Sequence, residues 1–385
     1  LQIVFMKIAY VMPNTLRERN AGVEQAIFFL SKYMQEKGHE VELFCTAKYP
    51  QLNAEFEGLK LREFSRVAPN EAYYFSLPLF SALKKTDADI IHAYGYNNLL
   101  TALAVLAVPK EKPLFITGAS SVTKSYFRKW LHVPLNAFYS LLSARITKLI
   151  CVSEWEKDYF ASRISLPSEK WVTIPNGIDV KGLQKIKRKT ISHHILSVGR
   201  LVKHKGMHRL IAALPRVVKE FPDAHLDIVG DGEERENLHA QARQLGMESH
   251  ITFHGHIDFS AREKLIELYS HAHVFSLMAD SESQGLVYGM ALVLGVPVLT
   301  PNQSAMKELV REGCALGIEH PDDAEETAQG IIRLFRESHS TKGWERVIWS
   351  WEKVGEAVLK EYTHALSTNV ARPGTPFKKT GGLKE

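Results

Sequence analysis

The chain has 385 residues, 45% of them hydrophobic, and a formal net charge of +5 at pH 7. That length and apolar share predict two domains, each with its own core. No apolar run reaches membrane-spanning length, and Cys45, Cys151 and Cys314 lie far apart and form no metal spacing, which argues against a membrane-spanning helix and a zinc module. Scattered cysteines suit a reducing cytoplasm, and each reads as a small core residue. Charge is uneven, with a basic front half and a mildly acidic remainder.

The opening LQIVFMKIAYVMPN has no basic leader or cleavage site and reads as a first strand, Lys7–Val11. After a polar loop, Gly22 opens a helix to about Lys37, with Ala26, Ile27, Phe29, Leu30 and Tyr33 on one stripe. Gly38 ends it, and Glu40–Cys45 is a second strand. A strand, loop, helix and strand in that order form half of a nucleotide-binding fold. Gly22 has no side chain to obstruct a pyrophosphate, although a glycine at a helix start also occurs without one.

Asp89–Ala93 and Leu114–Thr117 read as further strands. His92, on the first of them, reads as a core histidine. The stretch Lys112–Ser153 contains no acidic residue. Within it, 124–148 mixes Lys124, Arg128, Lys129, Arg145 and Lys148 with Tyr126, Phe127, Trp130, Phe138 and Tyr139. A basic aromatic stretch of this kind can lie on an anionic membrane surface, or it can be a helix pair beside a cleft with its rings in the core. No recognition helix or RNA-binding signature accompanies it, so nucleic acid is not expected as a partner.

Trp171–Ile174 is the last strand of the first domain, followed by the turn signal Asn176-Gly177. KGLQKIKRK, Lys181–Lys189, is basic and unpatterned and reads as a linker. Beyond it, helices are expected over Met207–Phe221, Arg235–Gln244, Ala261–Ser270 and Ala324–Glu337. Strands are expected at Ile195–Val198, His225–Val229, Ile251–Phe253 and Val274–Leu277. Their alternation predicts a parallel sheet covered on both faces. The boundaries expected are 6–180 and 191–345 for the two domains, 181–190 for the linker, 346–367 for a final helix and 368–385 for a disordered tail.

Two stretches carry candidate chemistry. In SVGRLVKHKG, Arg200 and Lys205 follow a strand that ends at Gly199, where open α/β sheets place ligands. Five residues apart, both cations can reach one diphosphate. In SLMADSESQGLVYGMALVLGVPVL, Glu282 precedes a helix that starts after Gly285, stops at Gly295 and leads into a buried strand, Val296–Thr300. Glu282 can accept hydrogen bonds from sugar hydroxyls while the amides of Gly285, Leu286 and Val287 face phosphate oxygens. Taken alone, that stretch is equally a capped helix with a solvated acid before it.

The series GR-x4-KG, IVGDG (Ile228–Gly232), FHGHI (Phe253–Ile257), E-x2-GL and GVPV resembles the nucleotide-binding domain of retaining GT-B glycosyltransferases of family four. GVEQAIFFLSKYMQEKGHEVELF (Gly22–Phe44), ADIIHAYG (Ala88–Gly95), ICVSEWEKDYF (Ile150–Phe160) and IPNGID (Ile174–Asp179) extend the resemblance into the front half. It implies two Rossmann-like parallel-sheet domains facing a cleft, with a C-terminal helix, the amphipathic Ser350–Leu366, crossing back to the first domain.

The resemblance also implies a hexose-type sugar moved from a nucleotide-diphosphate sugar to a glycan or lipid-linked acceptor, without a metal or other cofactor. Arg200 and Lys205 would take up the charge of the leaving diphosphate, Glu282 would orient the sugar, and the backbone at Ile257 would meet the nucleobase. Gly22 would lie near the pyrophosphate, although the family has two glycines there and this chain has Gly22-Val23. Glu308 and Gly313 match a family acid and turn glycine. The expected place of work is cytoplasmic, peripheral on the inner face of the membrane.

Two departures stand out. The family's E-x7-E pair has Met290 as its second member here, and the family's histidine is replaced by Gly118 or Ala119. Methionine cannot hydrogen-bond ribose hydroxyls as a carboxylate does. The alternative to an active enzyme is therefore a noncatalytic relative that binds nucleotide sugar or partners another transferase. A redox Rossmann enzyme is disfavoured, because no GxGxxG follows the first strand.

Overall fold

The computed structural model describes residues 5–18, 22–51, 53–70, 73–96, 98–118, 126–258, 261–337 and 341–370. Strand Lys7–Met12 lies inside the first sheet and is buried along nearly its whole length, as its continuous apolar run requires. It pairs in parallel with Glu40–Ala47 on one side and Ile90–Tyr94 on the other. The full order is Trp171–Thr173, Lys148–Cys151, Leu114–Thr117, Ile90–Tyr94, Lys7–Met12, Glu40–Ala47, Leu59–Ser65 and Ala54–Phe56. Only the last pair is antiparallel. Helix Gly22–Glu36 buries Ala26, Ile27, Phe28, Leu30 and Met34 against this sheet.

The second sheet has six parallel strands, in the order Ile251–Gly255, His225–Val229, His194–Val198, Val274–Ser276, Val298–Pro301 and Leu316–Ile318. A separate core gathers their side chains with those of helices Met207–Glu220, Leu286–Val293 and Ala324–Arg336. Two cores on two parallel sheets make the α/β, two-domain architecture.

The chain crosses between the units twice. Asp179 caps a short helix, Val180–Gln184, by accepting a hydrogen bond of 2.9 Å from the Gly182 amide. The stretch expected as an unpatterned linker is thus helical at its start. Further on, Trp349–Ser350 pairs in parallel with Gly177–Ile178, which delays the last helix to Trp351–Val370, later at both ends than the sequence suggests. That helix returns to the first domain, where Val354, Val358, Tyr362 and Ala365 enter its core. A Cβ on Gly355 would come within 2.2 Å of the Tyr33 ring, so the helices meet too closely for any side chain there. The tail expected to be disordered lies outside the described residues beyond Val370.

Candidate active site

The site forms where the carboxyl ends of the second sheet's strands face the first domain. Strand His194–Val198 leads to Gly199 and the exposed Arg200, and a single turn, Lys203–Lys205, brings Lys205 back inward. Gly206 closes this loop at φ +71, and a Cβ there would lie 1.8 Å from the Met278 carbonyl oxygen. Only glycine lets the cationic loop press against the acidic one. The Asp280 amide then donates to the His204 carbonyl at 2.8 Å.

Lys205 Nζ and Glu282 Oε1 form an ion pair, with both side chains mostly buried. The Glu282 backbone is fixed from the other side, its amide donating to Ser304 Oγ at 3.1 Å and its carbonyl accepting from Ala305 at 3.2 Å. Asp280 does different work: it receives Arg209 Nη2 at 2.8 Å, and Arg209 also donates to the Met278 carbonyl at 2.7 Å. Burial lowers the His204 pKa, the charges of Lys205 and Arg200 lower it further, and Glu282 and Asp280 oppose them. Burial and the two cations thus favour the neutral imidazole of His204.

Three residues after Glu282, Gly285 begins helix Leu286–Val293 with no side-chain cap. The first amides of the helix, with the positive end of its dipole, remain available to an anion. A Cβ on Gly22 would lie 3.9 Å from Leu286 Cδ1, so the first domain's helix start meets this one across the cleft. Ile257, Leu286 and Met290 share one cavity of about 110 Å³ with Gln25 and Phe29 of the first domain and Trp351 of the returning helix. Arg262 and Asp179 line it too and bond each other at 2.7 Å. Val287 does not line this cavity, and its carbonyl accepts the Tyr269 hydroxyl at 3.0 Å.

A second cavity of about 270 Å³ lies between the domains, lined by Glu154, Gln284, Glu308, Arg311 and Arg346 among others. Glu308 accepts the Trp155 amide at 2.9 Å, across the domain boundary, and burial raises its pKa. Gln284 both accepts from the Asn176 amide and donates to the Asn176 carbonyl, each at 2.7 Å. These interdomain ties carry no periodic or compositional signal; only the family acid at Glu308 hinted at one of them. Arg200, Lys205 and Glu282 line neither cavity.

His92 is a core histidine, fully buried, with Nδ1 2.6 Å from the Tyr362 hydroxyl and Nε2 2.7 Å from Thr117 Oγ1. Gly118 cannot carry the missing histidine, because a Cβ there would sit 2.8 Å from both Glu156 Oε2 and Phe160. Ala119 lies outside the described residues. Of the basic aromatic stretch, Tyr126–Leu141 is helical, Tyr139 is buried, and Leu141 is 82% exposed. The side chains of 124–132 lie outside the description. Among the described residues no helix is long and apolar enough to cross a membrane.

Two parallel-sheet domains facing across a cleft, joined by a helix that crosses back, define the GT-B class of glycosyltransferase fold. The family model described as Glycosyltransferase Family 4 matches residues 20–181, and that described as Glycosyl transferases group 1 matches residues 183–346. The chain belongs to this family. The phosphatidyl-myo-inositol mannosyltransferase of Mycolicibacterium smegmatis is 26% identical over 382 residues, covering 93% of each chain. Sucrose-phosphate synthase from Thermosynechococcus elongatus superposes with a TM-score of 0.74 at 19% identity, covering 94% of this chain and all of that one (100%). Anabaena HepE, solved with UDP and glucose, gives 0.68 at 18% identity over 95% of this chain and 100% of its own. The two structural likenesses establish the fold.

Proposed function

We propose that the protein is a retaining glycosyltransferase that moves a hexose-type sugar from a nucleotide-diphosphate sugar to a glycan or lipid-linked acceptor. The observation that carries this reading is the Lys205–Glu282 ion pair, set three residues before an uncapped helix start. Lys205 and Glu282 satisfy each other in this structure. A donor would divide it, the diphosphate taking Lys205 and the sugar hydroxyls taking Glu282. Arg200, Lys205 and the amides of Gly285, Leu286 and Val287 would then stabilise charge growing on the departing diphosphate, commonly a leading contribution to catalysis of this kind. These fixed positive groups could do so without a metal ion.

Entry of a nucleoside into the cleft lined by both domains would call on a hinge between them. The ties at Gln284 and Glu308 lie where such a hinge would act. The M. smegmatis relative is named for a phosphatidyl-inositol acceptor, and the exposed Leu141, which ends helix Tyr126–Leu141, suits a lipid-linked acceptor on the inner face of the membrane. Three unpaired, buried cysteines suit a cytoplasmic location.

The test is transfer from a panel of nucleotide sugars to phospholipid and glycan acceptors, with and without EDTA. Donor-dependent, EDTA-resistant transfer that keeps the anomeric configuration is expected; inversion or metal dependence would overturn those parts of the reading. The apolar Met290 in the cleft favours the second reading, a noncatalytic binder, and donor binding without turnover on any acceptor would establish it.

A further inference from the structure

We propose that Arg209 is a positioning residue for transfer: through Asp280 it fixes the loop that carries Glu282, and it keeps that carboxylate in place once a donor has taken Lys205. The inference rests on the nucleotide-sugar reading above. Two ion pairs tie the acidic loop to the cationic one, Lys205 with Glu282 and Arg209 with Asp280. The cations stand four residues apart, one on each side of Gly206, and the acids stand two apart. A Cβ on Gly206 would also lie 3.1 Å from Arg209 Nη1, so the glycine that brings the loops together clears room for this second pair too.

The two pairs are built differently. Lys205 meets Glu282 through one nitrogen at the end of a flexible stem. Arg209, only 8% exposed, engages its whole fork: Nε donates to Asp322 at 2.7 Å, Nη1 to the Met278 carbonyl at 2.7 Å and Nη2 to Asp280 at 2.8 Å. Turning that planar group would strand a buried charge. The Lys205 pair can therefore divide while the Arg209 pair stays closed. The Asp280 amide on the His204 carbonyl, and Gln303 Nε2 on the Ala279 carbonyl at 3.2 Å, steady the same three residues. On the other side, Ser304 and Ala305 hold the Glu282 backbone. Glu282 is suspended between two anchors, and Arg209 supplies the charged one. Slackening it by about 1 Å would carry the carboxylate off the sugar hydroxyls, a misplacement that can cost on the order of 100-fold in rate.

The experiment is a mutant cycle on the intact protein: unaltered, Arg209→Met, Glu282→Gln and the double variant. Each is assayed for turnover of UDP- and GDP-hexoses and, by calorimetry, for binding of UDP and GDP. Arg209→Met should lower kcat about tenfold or more and leave nucleoside diphosphate affinity within about twofold. It should cost almost nothing further once Glu282 is altered, because it acts through that residue. If Arg209→Met does not fold, Asp280→Asn keeps the side chain's shape, opens the same contact from the other side and should behave alike. Losses that multiply in the double variant, an unchanged kcat, or equal losses of kcat and nucleotide affinity would overturn the inference and leave the nucleotide-sugar reading standing. Absence of turnover by the unaltered protein from every donor would overturn the transfer reading and the inference with it.

Discussion

Lys205 and Glu282 lie 77 residues apart in sequence and meet as an ion pair, each side chain less than a fifth exposed. The closeness depends on Gly206, which lets one loop lie against the carbonyl of Met278. A buried pair of this kind contributes little net stability but is costly to break by removing one partner. The proposed donor would take over both halves, exchanging one set of charge-assisted bonds for another.

Glu282→Gln keeps the shape of the side chain and removes its charge. If Glu282 orients the sugar, kcat for transfer should fall at least tenfold, while binding of the free nucleoside diphosphate, which has no sugar, should hold or improve as Lys205 is released. Steady-state kinetics beside calorimetry separates the two. Equal loss in both would assign Glu282 a structural task.

His92 predicts a pH dependence of stability. Burial pushes its pKa down from 6.5 to about 3 in the folded protein. Between those values the unfolded chain binds a proton that the native state refuses, so stability rises with pH across that window and is complete above about 6.5. At pH 5 this one group costs about 2 kcal/mol. Urea unfolding at pH 5 and 7.5 should differ in that direction, and His92→Gln should be less stable at pH 7.5 but show a shallower pH slope.

Much of the fold was legible in the sequence because helix and strand periods alternate regularly. Leu114–Thr117, His225–Val229 and Arg235–Gln244 match the expected bounds. The hairpin Ala54–Phe56 with Leu59–Ser65 was not legible: its turn places Glu57 at φ +47, a conformation that non-glycine side chains rarely announce. The helix Val180–Gln184 hid in a basic, unpatterned run, and its capping acid, Asp179, lay just outside the stretch read as linker. Arg200, Lys205 and Glu282 were legible as residue types placed after strands. Their self-pairing was not, because it depends on the approach of two loops. The Gln284 tie and the wall around Met290 exist only once the domains are juxtaposed.

Gln284 holds the Asn176 backbone at both its amide and its carbonyl. Gln284→Ala should lower unfolding free energy by about 1–3 kcal/mol, roughly 1 for each hydrogen bond lost. Because the tie spans the domains, it should also shift the KM for donor more than kcat. A loss of stability with unchanged KM would show that the contact does not govern closure.

The membrane proposal predicts co-sedimentation with vesicles rich in anionic lipid at low salt, and release as salt screens the basic helix region. Binding that ignores lipid charge, or no binding, would argue for an acceptor taken from solution.

The central claim is that fixed cations and helix amides absorb the negative charge of a departing diphosphate. Its most direct test is single-turnover transfer by Lys205→Ala, compared with binding of nucleoside monophosphate and diphosphate to the same variant. The account predicts a loss of transfer greater than tenfold, weakened diphosphate binding and little change for the monophosphate. Unchanged transfer with Lys205 removed would contradict it.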